Sequence, residues 1–325
     1  MIHSLKKTLL VSFAAQALLS VSWCAASNPM VGSWGFFTPN QRAGWLGIEQ
    51  DEKGLAAKLL WASGSVTPVE SVKMEGDTLI LEREMKTKLG STRHKLVATQ
   101  QGDDLVVRSS FTKEDGSPGE TGEFIAHRQP PLPAKPDLSQ VKFGSPVSLI
   151  AKEGMSGWQS SNGVEPKFWS VNEGVLSNRV VHEKGVRGAN LRTAEVFEDF
   201  RLVTEVRTLP KSNSGIYLRG VYEIQIIDSH GKPLDSHNMG ALYSRLTPAI
   251  DAEKAVGEWQ TLEITLVDQH VTVVLNGQTL IDNEPALGCT GGALTWDVTK
   301  PGPIMLQGDH SDIDYRNMVL TPVLK

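Results

Sequence analysis

The segment Asn213-Ser-Gly-Ile-Tyr-Leu-Arg-Gly220, followed at once by Tyr222-Glu-Ile-Gln-Ile-Ile-Asp228, predicts two consecutive β-strands. Successive side chains of a strand point to opposite faces of its sheet. One face should therefore be apolar, with Ile216, Leu218, Ile224 and Ile226, and the other polar, with Tyr217, Arg219, Glu223 and Gln225. We expect the apolar face to pack on a core and the polar face to be open.

The polar face has the side-chain chemistry of a carbohydrate site. An arginine donates two parallel hydrogen bonds, a carboxylate accepts them, and a tyrosine adds an aromatic plane. Placing such groups inside apolar strands rarely serves stability alone, so these two strands are the first candidates for a functional site.

Composition indicates a globular protein of about two domains, with 325 residues, 40% hydrophobic and 21% charged. The net charge of −5 and the lack of a basic stripe with interleaved aromatics argue against nucleic acid as a partner.

The first 26 residues read as a secretory signal peptide. Lys6 and Lys7 precede the apolar run 8–21, and Cys24-Ala-Ala26 offers small residues for cleavage near Ser27. We therefore expect a periplasmic or secreted protein with a mature charge of 30 − 37 = −7. A lipoprotein anchored at Cys24 is the less favoured alternative. The mature chain should lack a transmembrane segment, and Cys289 alone permits no intrachain disulfide.

A proline-rich segment, residues 129–139, divides the mature chain into two β-rich modules. The first module, residues 27–128, alternates short β-runs with turns and predicts a small antiparallel β-barrel or sandwich. Its Gly32-Ser-Trp34 is reminiscent of lipocalin-like barrels. The second module, residues 140–325, has at least seven β-runs and no long helical period. We predict an all-β fold, with a concanavalin A-like jelly-roll sandwich in this second module.

The second module resembles the 3-keto-disaccharide hydrolase domain family. The resemblance covers about residues 140–325 and is carried, in order, by Gly157-Trp158, Asn162-Gly163, Trp169, 174–176, Asp199-Phe200, 213–220, 222–228, 240–243, 257–259, 275–277 and 301–310. It implies an exported sandwich enzyme that cleaves sugars already oxidised to a ketone at carbon 3.

Such a ketone acidifies the hydrogen on carbon 2, so the glycosidic bond can break by elimination and hydration, or by hydrolysis. Elimination needs a general base, a group that stabilises the enediolate, and help for the leaving oxygen. A divalent metal ion could polarise the ketone. The chain carries no Gly-x-Gly-x-x-Gly fingerprint, so we expect no nucleotide cofactor and a functional link to a separate sugar 3-oxidoreductase.

Three residues are the catalytic candidates: Glu223 as base, His310 as base or ligand, and Arg219 as a clamp on the substrate. Glu223 and Arg219 could instead form a structural ion pair. A metal site would combine Glu223 and His310 with Asp228, although Asp228 alternates in face with Glu223.

The remaining candidates would contact the substrate, namely Tyr217, Gln225, Gln307, Asp309, Tyr243, Trp158, Asn162 and Asn213. His230 and His237 lie in the segment 229–239, where a solvated loop is the default expectation and a mobile lid an alternative.

Two other functions remain open from the sequence. A retaining glucanase requires paired catalytic carboxylates, and we find no Glu-x-Asp-x-(x)-Glu strand. A lectin-like carbohydrate-binding module would use the same sandwich without catalysis.

Overall fold

The computed structural model describes residues 28–87, 90–161, 163–181, 183, 186 and 188–324. The expected signal peptide, with Cys24, lies outside these residues, as does Asn162. Regular structure in the described part is almost entirely β, with one short 3-10 helix at Leu138–Gln140. No helix within the described residues is long and apolar enough to cross a membrane.

The first module is a single antiparallel sheet with the strand order β4-β3-β2-β1-β9-β8-β7-β6-β5. Its strands are β1 Gly32–Phe37, β2 Ala43–Asp51, β3 Gly54–Trp61, β4 Thr67–Pro68, β5 Ser71–Glu75, β6 Thr78–Thr87, β7 Gly90–Gln101, β8 Asp104–Lys113 and β9 Pro118–Arg128. The sheet curls until β3 lies against β5, so its concave face encloses a core.

Alternating side chains build that core. Trp34 and Phe36 of β1 are buried, and Phe36 stacks on Phe124 with ring centroids 4.6 Å apart. Arg128 covers Trp34 from outside, with its guanidinium carbon 4.1 Å from the ring centroid. The small antiparallel β-barrel or sandwich predicted for this module is thus a strongly curled antiparallel sheet around its own apolar core.

The second module has two sheets. Its strands are β10 Lys142–Phe143, β11 Val147–Ser148, β12 Trp158–Ser160, β13 Trp169–Asn172, β14 Val175–Asn178, β15 Leu191–Thr193, β16 Phe200–Thr208, β17 Asn213–Leu218, β18 Tyr222–Ile227, β19 Trp259–Val267, β20 His270–Leu275, β21 Gln278–Pro285, β22 Met305–Leu306 and β23 Ile313–Leu324. The larger sheet has the order β13-β14-β23-β16-β19-β20-β21, with β10 and β11 also paired to β23; the smaller has the order β12-β15-β22-β17-β18.

The two sheets pack face to face as a sandwich. Ile216 and Ile224, from the smaller sheet, share one core with Leu202 and Ile264 from the larger sheet, and all four are fully buried. The prediction of an all-β jelly-roll sandwich is confirmed. The apolar face predicted for β17 and β18 is the one that faces this core, which leaves their polar face for the site.

The two modules share a core and are not held apart by the proline-rich segment. Ala43, Trp45 and Leu60 of the first module belong to the hydrophobic cluster of the second. Arg245 stacks on Trp45, with 4.1 Å between the guanidinium carbon and the ring centroid. Gln129, the first residue of the segment, donates from Nε2 to the carbonyl of Trp296 at 3.1 Å. The first module is therefore fixed against the sandwich.

Candidate active site

The floor of the candidate site is the polar face of β17 and β18. The cross-strand pairs Asn213–Ile227, Gly215–Gln225 and Tyr217–Glu223 lie side by side in an antiparallel register. Five of these six residues line a cleft of about 440 Å³. The sixth, Gly215, has no side chain and leaves room for the carboxyl group of Glu223. This face was expected to be open, but Tyr217, Glu223 and Gln225 are at most 3% exposed. Loops of the second module and one end of the first module cover them.

Glu223 is a buried carboxyl group at the bottom of the cleft. Its backbone N–H donates to Oγ1 of Thr290 at 2.9 Å, and its side chain lies over Gly215, where any Cβ would collide with the carboxyl group. Burial, together with a smaller effect of the nearby charge of Asp309, raises the pKa of Glu223 to about 8. A carboxyl group with this pKa can gain or lose a proton near neutral pH, as a general acid or base must.

Tyr217 stands beside Glu223 and is tied to the cleft wall. Its hydroxyl donates to the carbonyl oxygen of Gly291 at 2.7 Å, and Gly292 leaves the space that the hydroxyl needs. Burial raises the pKa of Tyr217 well above its ordinary value, so the hydroxyl stays neutral. Hydrogen bonding with Tyr217 partly opposes the effect of burial and lowers the pKa of Glu223.

His310 and Asp309 form a pair at the rim of the cleft. Nδ1 of His310 lies 2.6 Å from Oδ1 of Asp309, and this hydrogen bond raises the pKa of His310. The bond directs the protonated Nδ1 toward the carboxylate and leaves Nε2 available to a ligand. Asn190 fixes the preceding turn, because its Oδ1 accepts from the N–H of Gly308 at 2.8 Å.

Two side-chain amides present unused acceptors to the cleft. Oε1 of Gln225 and Oε1 of Gln307 are buried and have no hydrogen-bond partner among the described residues. Nε2 of Gln225 is held by Oδ1 of Asn213 at 3.3 Å. A buried acceptor without a partner is costly unless a ligand satisfies it. Ligand hydroxyl groups are donors of the right kind.

Tyr243 and His237 form one side wall, and the first module extends it. The N–H of Tyr243 donates to the carbonyl of Glu223 at 2.9 Å, while its ring meets that of His237 edge to face, with centroids 5.0 Å apart. Nε2 of His237 lies 2.8 Å from Oγ of Ser65 in the first module. His237, expected in a solvated loop, therefore lines the cleft and links the two modules.

The structure also adds residues that sequence reasoning missed. Arg42, Ser63, Gly64, Asn190, Gly291 and Gly292 line the same cleft. The first three come from the first module, some 150 residues away in sequence from Tyr217. No local pattern marks them, and only the packing of the modules brings them to the site.

Arg219 is not brought into the cleft. Strand β17 ends at Leu218, and Arg219 adopts a left-handed backbone with φ of 56°, so the strand alternation that predicted its direction stops one residue earlier. Its guanidinium donates to the carbonyls of Val298 and Lys300, at 3.0 Å for Lys300. The considered ion pair with Glu223 is not formed, and Arg219 braces a loop.

Trp158 also lies away from the cleft. Its Nε1 donates to the carbonyl of Leu149 at 2.7 Å, and its ring packs on the sandwich core. Asn162, its expected neighbour in the site, lies outside the described residues. The other substrate-binding candidates, Asn213, Tyr217, Gln225, Tyr243, Gln307 and Asp309, all line the cleft.

The expected metal ligands do not meet at one point. Asp228 follows the end of β18 and accepts from the N–H of Lys211 at 3.1 Å, whereas Glu223 lies near the start of that strand, roughly 16 Å away at 3.3 Å per residue. Among the described residues, no group of three or more His, Cys, Asp or Glu side chains is placed to hold a metal ion.

Fold and site together define an all-β sandwich protein with a deep polar cleft that suits a polyhydroxylated ligand. The chain belongs to the family of the 3-keto-alpha-glucoside-1,2-lyase-like domain, whose model matches residues 146–321, or 176 of the 325 residues. It is thus a carbohydrate-active protein, and the resemblance seen in the sequence is confirmed. A search of curated protein sequences finds no match to the chain.

Solved structures with a similar arrangement share little sequence. Two come from Parabacteroides distasonis ATCC 8503, and the glycosyl-hydrolase name of both is provisional. One is 20% identical and covers 55% of this chain and 94% of its own, with a TM-score of 0.45; the other is 25% identical and covers 55% and 98%, with a TM-score of 0.42. A carbohydrate-binding module from Bacillus subtilis is 13% identical, covers 50% and 93%, and has a TM-score of 0.35. These scores are too low to carry a functional argument, and the family match stands without them.

Proposed function

We propose that this protein cleaves 3-keto-glycosides by eliminating the group on carbon 1 together with the hydrogen on carbon 2, followed by hydration of the enone. The observation that carries the proposal is Glu223, a buried carboxyl group with a pKa of about 8 at the floor of a cleft built for hydroxyl groups. The family description, a 1,2-lyase-like domain, supports the same bond change.

Glu223 is the base in this mechanism. A ketone at carbon 3 makes the carbon 2 hydrogen acidic, and the ionised carboxylate takes it as a proton while an enolate forms at carbons 2 and 3. A weakly acidic carboxyl group is a stronger base once ionised than one with an ordinary pKa. Because burial sets this basicity, the exclusion of water from the Glu223 carboxyl group serves the reaction.

His310 is the acid. When the bond between carbon 1 and the leaving oxygen breaks, that oxygen needs a proton. The hydrogen bond that His310 donates to Asp309 raises the pKa of His310 and keeps it protonated to higher pH than usual. The histidine lies at the rim, where a leaving group exits, and Glu223 at the floor, where the sugar ring rests. Water then adds across the double bond, with hydroxyl to carbon 1 and hydrogen to carbon 2.

The acceptor amides position the sugar. Oε1 of Gln225 and Oε1 of Gln307 would accept from hydroxyl groups of the ring, and each such bond satisfies an acceptor that is otherwise buried without a partner. A positioned ring brings the carbon 2 hydrogen to Glu223 in a fixed geometry.

The proposal includes the cellular setting expected from the sequence. A separate enzyme that oxidises the carbon 3 hydroxyl must supply the substrate. The signal peptide expected in residues 1–26 would export the protein, so that the glycoside is cleaved outside the cytoplasm. N-terminal sequencing of the processed protein tests the second point, with a start near Ser27 expected.

The central experiment compares a 3-keto-glucoside with its unoxidised parent, each with and without EDTA, while aglycone release and enone absorbance are followed. We expect release from the ketone alone, a slowing of several-fold when carbon 2 carries deuterium, and no loss on chelation. Equal cleavage of the parent would show an ordinary glycosidase. Binding without release would show a lectin-like protein, and loss on chelation restored by metal would bring a divalent ion into the mechanism.

A further inference from the structure

A second cavity, of about 900 Å³, opens beside the cleft, and we call it the side groove. Arg42, Asn190, Gly292 and Asp309 line both spaces, so the two form one continuous trough. Together they are larger than a single sugar ring needs, given that sites of 300–1,000 Å³ hold drug-sized ligands.

The sheet topology gives the direction of the side groove. The cleft lies over β17 and β18, whereas the side groove reaches Met305 of β22, the strand on the other side of β17. Met305 pairs with Tyr217 in the register of these strands. A substrate with its reacting ring over Glu223 would therefore extend across β22 into the side groove, past the His310–Asp309 pair.

The junction of the two spaces carries a cation from the first module. Arg42 is exposed, and its guanidinium makes no hydrogen bond or ion pair with any residue that the structure describes. The turn between β1 and β2 holds it in place. The N–H of Arg42 donates to Oγ1 of Thr38 at 3.1 Å, and its carbonyl accepts from the N–H of Thr38 at 2.8 Å.

The lining suits a neutral sugar better than an anion or a purely apolar group. Arg42 is accompanied by two carboxylates, Glu183 and Asp309, which would repel an anion. Leu294 and Val181 offer apolar surface for the C–H faces of a ring, while the charged groups at the edge can donate to and accept from hydroxyl groups.

We propose that Arg42 of the first module binds hydroxyl oxygens of the leaving group in the side groove, so that the first module selects among leaving groups. This inference rests on the proposed function, because it assigns a leaving group to the reaction at Glu223. It gives the first module, which lies outside the matched domain, a role in substrate selection. The contacts that fix the module on the sandwich, such as Ser65 with His237, hold Arg42 at its position.

The test compares two substrates in one set of variants: a 3-keto-disaccharide and a methyl 3-keto-glucoside, whose leaving group cannot fill the side groove. We expect Arg42→Ala to lower the ratio of kcat/KM for the disaccharide to that for the methyl glycoside about tenfold, mainly through KM. Arg42→Lys should restore part of the ratio. Arg93→Ala, which removes an exposed arginine of the same module outside the cleft and the side groove, should leave the ratio unchanged.

A direct binding measurement separates this proposal from the proposed function. If the protein turns over neither ketone, calorimetry with the unoxidised disaccharide and with methyl glucoside still reports on the side groove. Weaker binding of the disaccharide alone in Arg42→Ala would support the groove assignment without the reaction. An unchanged preference in Arg42→Ala, or no binding of the disaccharide to the unaltered protein, would overturn it.

Discussion

The carboxyl group of Glu223, on β18, lies directly over the α-carbon of Gly215. Gly215 is on the neighbouring strand β17, two residues before Tyr217. Any side chain at Gly215 would occupy the space of the carboxyl group. Gly215 has no left-handed backbone conformation, so glycine is required here for space and not for φ. The position of the proposed base thus depends on a residue with no chemistry of its own.

Gly215→Ala should displace the Glu223 carboxyl group and lower kcat at least 100-fold, because a shift of about 1 Å in a catalytic group is enough for such a loss. Overpacking should also cost about 1–3 kcal/mol of stability. Gly122→Ala is a matched control, since its Cβ would come 2.4 Å from Pro39, also without a left-handed φ, at a position that does not line the cleft. Circular dichroism and kcat of both variants check the prediction, and an active Gly215→Ala enzyme would contradict it.

Glu223→Gln should abolish turnover and yet raise stability. Folding raises the pKa of Glu223 from 4.5 to about 8, so the unfolded chain releases this proton at lower pH than the folded protein does. The contribution favouring the fold is complete below pH 4.5 and is lost as pH rises from there to about 8. The neutral amide in Glu223→Gln does not suffer this loss, so the free energy of unfolding of the variant should be higher by roughly 1–3 kcal/mol at pH 7. Thermal unfolding at pH 5 and pH 8 tests this: the gain in Tm over the unaltered protein should be larger at pH 8.

Asp309→Asn should move the whole pH profile of kcat/KM to lower pH. Activity requires Glu223 ionised and His310 protonated, so it should rise with pH through the first pKa and fall through the second. Asp309 raises the pKa of both groups. Its removal lowers both, and the two limbs shift in the same direction. A shift of one limb alone would show that Asp309 acts on only one of the two groups.

Tyr217→Phe should raise the pKa of Glu223 and so move the limb of the pH profile that Glu223 controls in the opposite direction, to higher pH. The hydroxyl of Tyr217 lowers the pKa of Glu223, and without it the carboxyl group ionises at higher pH. The carbonyl of Gly291 also loses its hydrogen bond, at a cost of about 1–3 kcal/mol for a buried acceptor. Measuring kcat/KM from pH 5 to pH 10, alongside the Asp309→Asn variant, checks both directions; identical pH profiles in the two variants would refute the assignment of Glu223 as base.

Strand alternation was enough to place Tyr217, Glu223 and Gln225 on one face, because side-chain direction in a regular strand follows from sequence position alone. It failed at Arg219, where the strand stops and the backbone turns to positive φ. The residue before Gly220 is where a turn begins, and alternation cannot be extended through it. The resemblance to a family supplied His310, which lies on a loop that no periodicity describes.

Arg42, Ser63 and His237 could not be predicted, for a different reason. Each reaches the site only because one module packs on the other, and sequence patterns describe faces of single elements. The proline-rich segment predicts two separate modules, since such segments often act as spacers. The indole of Trp45 in the apolar core of the sandwich is a long-range contact that local sequence does not encode.

The burial of Trp45 against Arg245 makes the two modules one mechanical body. Proteolytic cleavage in the proline-rich segment would leave the two modules associated. Either module expressed alone would expose the apolar surface that the other module covers. In this chain, the domain that the family defines depends for its packing on the first module.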